Sequence, residues 1–256
     1  MKRALALYLF GIVAVALAIW QPILGWLSPA TFLLVFPAGA IWLWRGEGRS
    51  FQDLGLRRDK FWRRSLIWGL MLGALFPVIV VLAQALSGWI GLTPRVLPLG
   101  NLAGYIALAF VKTIFIVAIE EFVSRGYFLQ RFTLGIGAGW AVLLSSVLWG
   151  IGHLAAMVSE GLPPFSIVIG MLTFIAWGTA LSISCLRTTQ SLWMPFGLHY
   201  GVNVSFSLLG TFFITSYQAP QWWIGNPAWA PESGVLGTLA WLLMIGIVWK
   251  ITQSGK

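Results

Sequence analysis

Acidic residues are scarce in this chain. Only seven of 256 residues are Asp or Glu, against 16 Lys and Arg. Three of the seven, Glu47, Asp53 and Asp59, share one polar loop, so each of the others needs its own explanation. A single cysteine, Cys185, excludes an internal disulfide framework and a Cys-rich metal site. There are only two histidines, His153 and His199, and both fall within apolar runs. Charged residues make up 9% of the chain, far below the share of an ordinary soluble domain, while 59% are hydrophobic. This composition defines an all-α, polytopic helical membrane protein. A net charge of +9 would suit nucleic acid, but the basic residues gather at helix ends and in one loop. That distribution fits the anionic inner leaflet of a bilayer, and no nucleic-acid partner is expected.

A spanning helix needs about 20 predominantly apolar residues. By that measure the chain holds eight candidates, at about 4–20, 27–44, 66–87, 103–131, 139–158, 166–187, 192–215 and 234–250. Gly69 with Gly73, and Gly197 with Gly201, place small residues one helical turn apart, where two backbones can approach. No repeat, low-complexity tract or separate soluble domain interrupts the pattern, so residues 1–256 read as a single membrane domain.

Lys and Arg set the orientation. With the N-terminus inside, Arg95 alone falls outside and Lys112 lies within a span, which leaves 14 of the 16 basic residues on the cytoplasmic side. Both termini are therefore expected in the cytoplasm, with the protein in the plasma (inner) membrane. The first span opens like a signal peptide, with MKR, an apolar core and Ala16-Leu17-Ala18. Its apolar run continues to Trp20 without a polar cleavage region, so retention as an anchor is expected. The loop at 45–65 interleaves Phe51, Leu54, Leu56, Phe61 and Trp62 with basic residues and reads as an interfacial segment on the inner leaflet. The outer stretch TSYQAPQWWIGNPAWAPES reads as an aromatic belt.

Against this background the sequence EEFVSR, Glu120 to Arg125, stands out. A charge at mid-membrane costs about 3 to over 10 kcal/mol depending on the method, and such residues pair and mark function. Glu121 and Arg125 are four apart, in the favourable order for an ion pair on one helix. Glu120 points about 100° away from Glu121 on a regular helix. Two carboxylates facing one guanidinium leave a proton or a cation wanting, which makes Glu120 the candidate functional acid.

The histidines are the candidate partners. His153 lies one turn after Trp149, and His199 and Asn203 share one helix face. Glu120 is 11 residues from Arg131 and His199 is 12 from Arg187, so both lie about 16 to 18 Å from a cytoplasmic marker; His153, 14 residues after Gly139, lies at about 21 Å. Residues at such similar depths can meet in a bundle if their helices are neighbours.

These residues carry a resemblance. EEFVSRGYF is similar to the Glu-Glu-x-x-x-Arg signature of the CAAX prenyl protease and bacteriocin-processing (Abi) family of intramembrane proteases. Trp149 to His153 resembles the family's Phe-x-x-x-His motif, with Trp in place of Phe, and His199 to Asn203 resembles its His-x-x-x-Asn motif. The likeness runs from about residue 45 to 205, with a core at about 100–205. It implies an endopeptidase that hydrolyses a peptide bond of a membrane-associated peptide or protein, in some relatives a prenylated CAAX protein. By this resemblance Glu120 and His153 would activate water, and His199 and Asn203 would bind the oxyanion. Glu121 and Arg125 would support the site, and Trp149 would replace the aromatic beside His153.

No metal cofactor is expected. The alternative is Zn2+ held by His153, His199 and Glu120, since two His and one Glu form an accepted catalytic ligand set. Asn203, a poor zinc ligand but a good hydrogen-bond donor, argues for the oxyanion arrangement instead. Two other classes remain: a non-catalytic immunity or binding protein, which would not need all four residues, and a proton-coupled transporter. A transporter would be expected to show inverted repeats or matching broken helices.

Overall fold

The computed structural model describes residues 36–226 and 232–253, together with residues 2, 3, 6, 7 and 9 near the N-terminus. All but residues 6, 7 and 9 of the expected span at 4–20, and the first half (27–35) of that at 27–44, therefore lie outside the described residues. In chain order the elements are α1 (Phe36–Arg45), a 3-10 turn (Phe51–Leu54), α2 (Trp62–Leu86), β1 (Ile90–Pro94), α3 (Leu99–Glu121), a π-helical stretch (Phe122–Leu129) and α4 (Gln130–Ile136). There follow α5 (Ala138–Ser159), α6 (Pro164–Arg187), α7 (Trp193–Phe212), β2 (Phe213–Tyr217), α8 (Gln221–Ile224) and α9 (Val235–Gln253). The protein is all-α and polytopic. Five helices among the described residues are long and apolar enough to cross a membrane: 62–86, 100–136, 138–159, 164–187 and 235–252.

The closest helix contact is made without side chains. Gly69 and Gly73 of α2 face Gly197 and Gly201 of α7, and a Cβ at any of the four would strike backbone atoms of the opposite helix. This is the close approach that small residues allow where lipid supplies no hydrophobic drive between helices. Pro77, inside α2, deprives the Gly73 carbonyl of its usual partner. The next carbonyl along, Ala74, accepts a hydrogen bond from Ser205 of α7 at 3.1 Å. Since His199 lies between Gly197 and Gly201, the contact that joins α2 to α7 also sets the position of that imidazole.

Two features differ from the spans expected. First, the run read as 192–215 leaves the helix at Phe212 and continues as β2, which pairs antiparallel with β1 in the register Ile90 to Tyr217 and Pro94 to Phe213. β-Branched and aromatic residues, together with a distant partner strand, override helical continuation here. The aromatic stretch read as an outer belt accordingly contains a strand and the short helix α8, with residues 227–231 outside the described set. Second, the long helix over 100–136 carries eight π-helical residues directly after Glu121. Such wide turns re-aim side chains and are frequent at functional sites.

The basic loop is docked onto the helices. Leu54 is buried, the Leu192 N–H donates to the Gly55 carbonyl at 2.9 Å, and Trp193 Nε1 donates to the Arg57 carbonyl at 2.9 Å. Trp44 Nε1 donates to the Ser50 carbonyl at 2.8 Å, and Arg131 lies over the Trp44 ring at 4.8 Å. The loop's last residues, from Trp62, form the first turn of α2.

Candidate active site

Glu120 is the penultimate residue of α3, and the π-turn begins two residues later. On a regular helix its side chain would diverge from that of Glu121. In the fold both carboxylates reach the same imidazole from opposite sides. Glu121 Oε1 lies 2.8 Å from His199 Nδ1, and Glu120 Oε2 lies 3.5 Å from His199 Nε2. Glu121 Oε1 also accepts from Arg125 Nη1 at 2.9 Å. Arg125 and Glu121 are almost completely buried, at 0% and 1% exposure, and His199 is at 1%. The Arg125 guanidinium lies over the Trp149 ring at 4.7 Å. His199 is therefore the nitrogen partner that both carboxylates of the Glu-Glu-x-x-x-Arg sequence reach.

His153 is held differently. Its Nδ1 lies 2.8 Å from the Trp149 carbonyl, and since a carbonyl only accepts, Nδ1 carries the proton and Nε2 the lone pair. Phe174 stacks on its ring at 4.2 Å, and Trp149 meets it edge-on at 4.5 Å. Trp177 of α6 packs against His199 at 5.1 Å. Trp149, where the motif has Phe, thus touches both histidines, its ring lying 5.8 Å from that of His199.

Glu120, His153, His199 and Asn203 all line one cavity of about 520 Å3. Ile116, Phe174, Trp177, Phe206 and Leu209 form apolar walls, and the β1–β2 ribbon lines it with Ile90, Leu92, Phe213, Thr215 and Tyr217. The supporting residues Glu121 and Arg125 are buried behind this surface. The sequence reading joined Glu120 to His153 through a water and missed the direct approach of Glu120 to His199, at 3.5 Å. That reading also missed Phe174, Trp177 and the bond from Glu121 to His199. Phe174 and Trp177 sit in an apolar helix with no polar signal to mark them, and the Glu121 bond joins residues 78 apart.

The donor set bears on zinc. A histidine with Nδ1 committed to an oxygen presents Nε2 outward, as in metal sites, and both histidines have that orientation. Among the described residues, however, no three His, Cys, Asp or Glu side chains come together at metal-binding spacing. The set as arranged does not fit a zinc ion.

Residues 102–205 match the family model described as type II CAAX prenyl endopeptidase Rce1-like. The matched stretch runs from the start of α3 through Asn203, so it holds all seven motif residues. Over these 104 of its 256 residues the chain is similar to the CAAX prenyl protease and bacteriocin-processing family, and the match supports a protease of the CAAX endopeptidase kind. No curated protein matches the chain.

Proposed function

We propose that this protein is an intramembrane endopeptidase that hydrolyses a peptide bond of a membrane-associated peptide or protein by Glu/His activation of water, without a metal. The observation that carries the proposal is that Glu120, His153, His199 and Asn203, from three separate motifs, line a single cavity. A water between Glu120 and His153 gives one proton to the Glu120 carboxylate while His153 Nε2 accepts its second hydrogen in a hydrogen bond, and the oxygen attacks the carbonyl carbon. The developing oxyanion accepts hydrogen bonds from His199 Nε2–H and from the Asn203 amide. Glu120 then passes its proton to the leaving amine. Glu121 orients His199, and Arg125 balances the Glu121 charge. The apolar walls suit a substrate with a lipid-facing segment, and the family description makes prenylated C-termini the first substrate class to try.

The test is a cleavage screen of membrane-anchored peptides, prenylated and unprenylated, with purified protein and products read by mass spectrometry. Glu120→Gln run in parallel should lower the rate by at least about a hundredfold while the protein still inserts and accumulates. Equal product from both proteins would remove Glu120 from the chemistry. Protein treated with a membrane-compatible chelator should keep its activity. Loss of cleavage on chelation, with recovery on zinc addition, would reassign the histidines to ligation.

A further inference from the structure

Glu232 belongs to none of the three motifs and lies outside the matched stretch, yet its side chain lines the same cavity as Glu120 and both histidines. It is 3% exposed, and its Oε2 meets no hydrogen-bond partner among the described residues. A buried carboxyl oxygen without a partner is rare and calls for an explanation.

The backbone is built to hold this residue where it is. A side chain at Gly234 would strike the backbone of Trp223 and Gly225, and one at Gly237 would strike the Glu232 carbonyl. The Asn226 N–H donates to Ser233 Oγ at 3.1 Å. The Gly234 carbonyl accepts from Thr238 Oγ1 at 3.1 Å and lies 3.3 Å from Thr173 Oγ1. Thr173 immediately precedes Phe174, which stacks on His153, and lies one turn before Trp177, which packs on His199. The segment bearing Glu232 is therefore fastened to the wall that supports both site histidines.

Burial pushes the Glu232 carboxyl up to about 8, so at neutral pH it holds its proton and is an O–H donor. Such a donor suits an oxygen acceptor. Lys112, on the cavity face of α3 and two turns (about 12 Å) before Glu120, also lines the cavity and adds a cation.

We propose that Glu232 is a substrate-positioning residue, whose protonated carboxyl donates a hydrogen bond to a carbonyl or carboxylate oxygen of the peptide segment lodged in the cavity. The proposal rests on the protease reading above and names a group on the substrate. Its pH dependence has a definite sign: the donor is present below about pH 8 and is lost above it, when a second negative charge would face the cavity. The other titratable groups lining that space are Lys112 and Glu120 on α3, His153 on α5, His199 on α7 and Tyr217 on β2, so a variant is needed to isolate Glu232.

The experiment uses the full chain in detergent and a lipid-anchored peptide in free-acid and C-terminally amidated forms. Binding is measured on the Glu120→Gln background and cleavage on the wild-type background. Glu232→Ala should raise Kd and KM about tenfold with kcat little changed, the effect of losing one binding hydrogen bond. Glu232→Gln keeps a donor that cannot ionise, and should restore binding to within about threefold. Its binding should stay flat from pH 7 to 9, where binding to the Glu232 protein weakens. Discrimination between acid and amide that disappears in Glu232→Ala identifies a terminal carboxylate as the acceptor. An equal loss for both forms identifies an internal carbonyl. Full binding by Glu232→Ala overturns the proposal. So does a Glu232→Gln protein that melts like wild type but binds as poorly as Glu232→Ala. Absence of cleavage, with binding that still depends on Glu232, would bring down the protease reading alone.

Discussion

Glu121→Gln tests the electrostatic logic of the site without touching the proposed base. The carboxyl oxygen Glu121 Oε1 serves two buried nitrogen partners at once, Arg125 at 2.9 Å and His199 at 2.8 Å, and all three groups are at most 1% exposed. Gln keeps the shape and one acceptor but leaves Arg125 buried without its counter-charge. Breaking a buried pair from one side costs about 3 to 5 kcal/mol. Arg125→Met should cost a similar amount, since it strands Glu121. The double variant Glu121→Gln/Arg125→Met removes one charge of each sign, so neither partner of the pair is left stranded. It should therefore be more stable than the sum of the single losses by about 2 kcal/mol or more, within the range of coupling found for residues of one network. Reversible unfolding in mixed micelles on all four proteins completes the cycle. Additive losses, or a Glu121→Gln protein as stable as wild type, would show that the cluster is not held by charge balance.

Other outcomes follow from the packing and the topology. Gly73→Ala drives a methyl group into the Leu198 carbonyl and Gly201 of the opposite helix, an overpacking cost of about 1 to 3 kcal/mol. Activity should fall with stability, because His199 moves with α7. Gly104→Ala on α3 meets nothing and should be neutral or stabilising by up to about 1 kcal/mol, so equal thermal shifts for the two variants would discount the close contact. Arg58→Cys should resist an impermeant thiol reagent applied to intact cells and react after permeabilisation; labelling from outside would invert the topology. Metal analysis of the purified protein should find well under one zinc per chain.

The membrane class, the close-packing glycines and the three polar motifs are legible in the sequence because each is a local signal: apolar length, Gly spacing, or charge where lipid belongs. Gly69, Gly73, Gly197 and Gly201 are an informative case, since spacing alone marked them as contact residues and the fold joins the two pairs. The rest depends on relations between distant residues. The strand 90–94 has five residues and acquires its meaning only from residues 213–217, over 100 positions away. The π-turn after Glu121 leaves no mark on composition, and it lies at the point where an argument from regular helix geometry sends Glu120 and Glu121 apart. Glu232 sits in a Trp- and Pro-rich outer stretch whose aromatic content obscured the one acid within it.

The pairing of α2 with α7 has a mechanical consequence. These helices are locked along their length by the facing glycines, and beyond their outer ends by the strands β1 and β2 that follow them in the chain. Two fastenings so far apart leave them no freedom to hinge, so they act as one stiff plate carrying His199 and Asn203. The opposite jaw is α3, which bears Glu120 and Lys112 and presents Leu108, Val111 and Phe115 outward with more than half of each exposed. Its tie to the plate above the site is the Tyr200 hydroxyl on the Phe110 carbonyl at 3.3 Å. A displacement of α3 against this plate would change the width of the cavity that the two share.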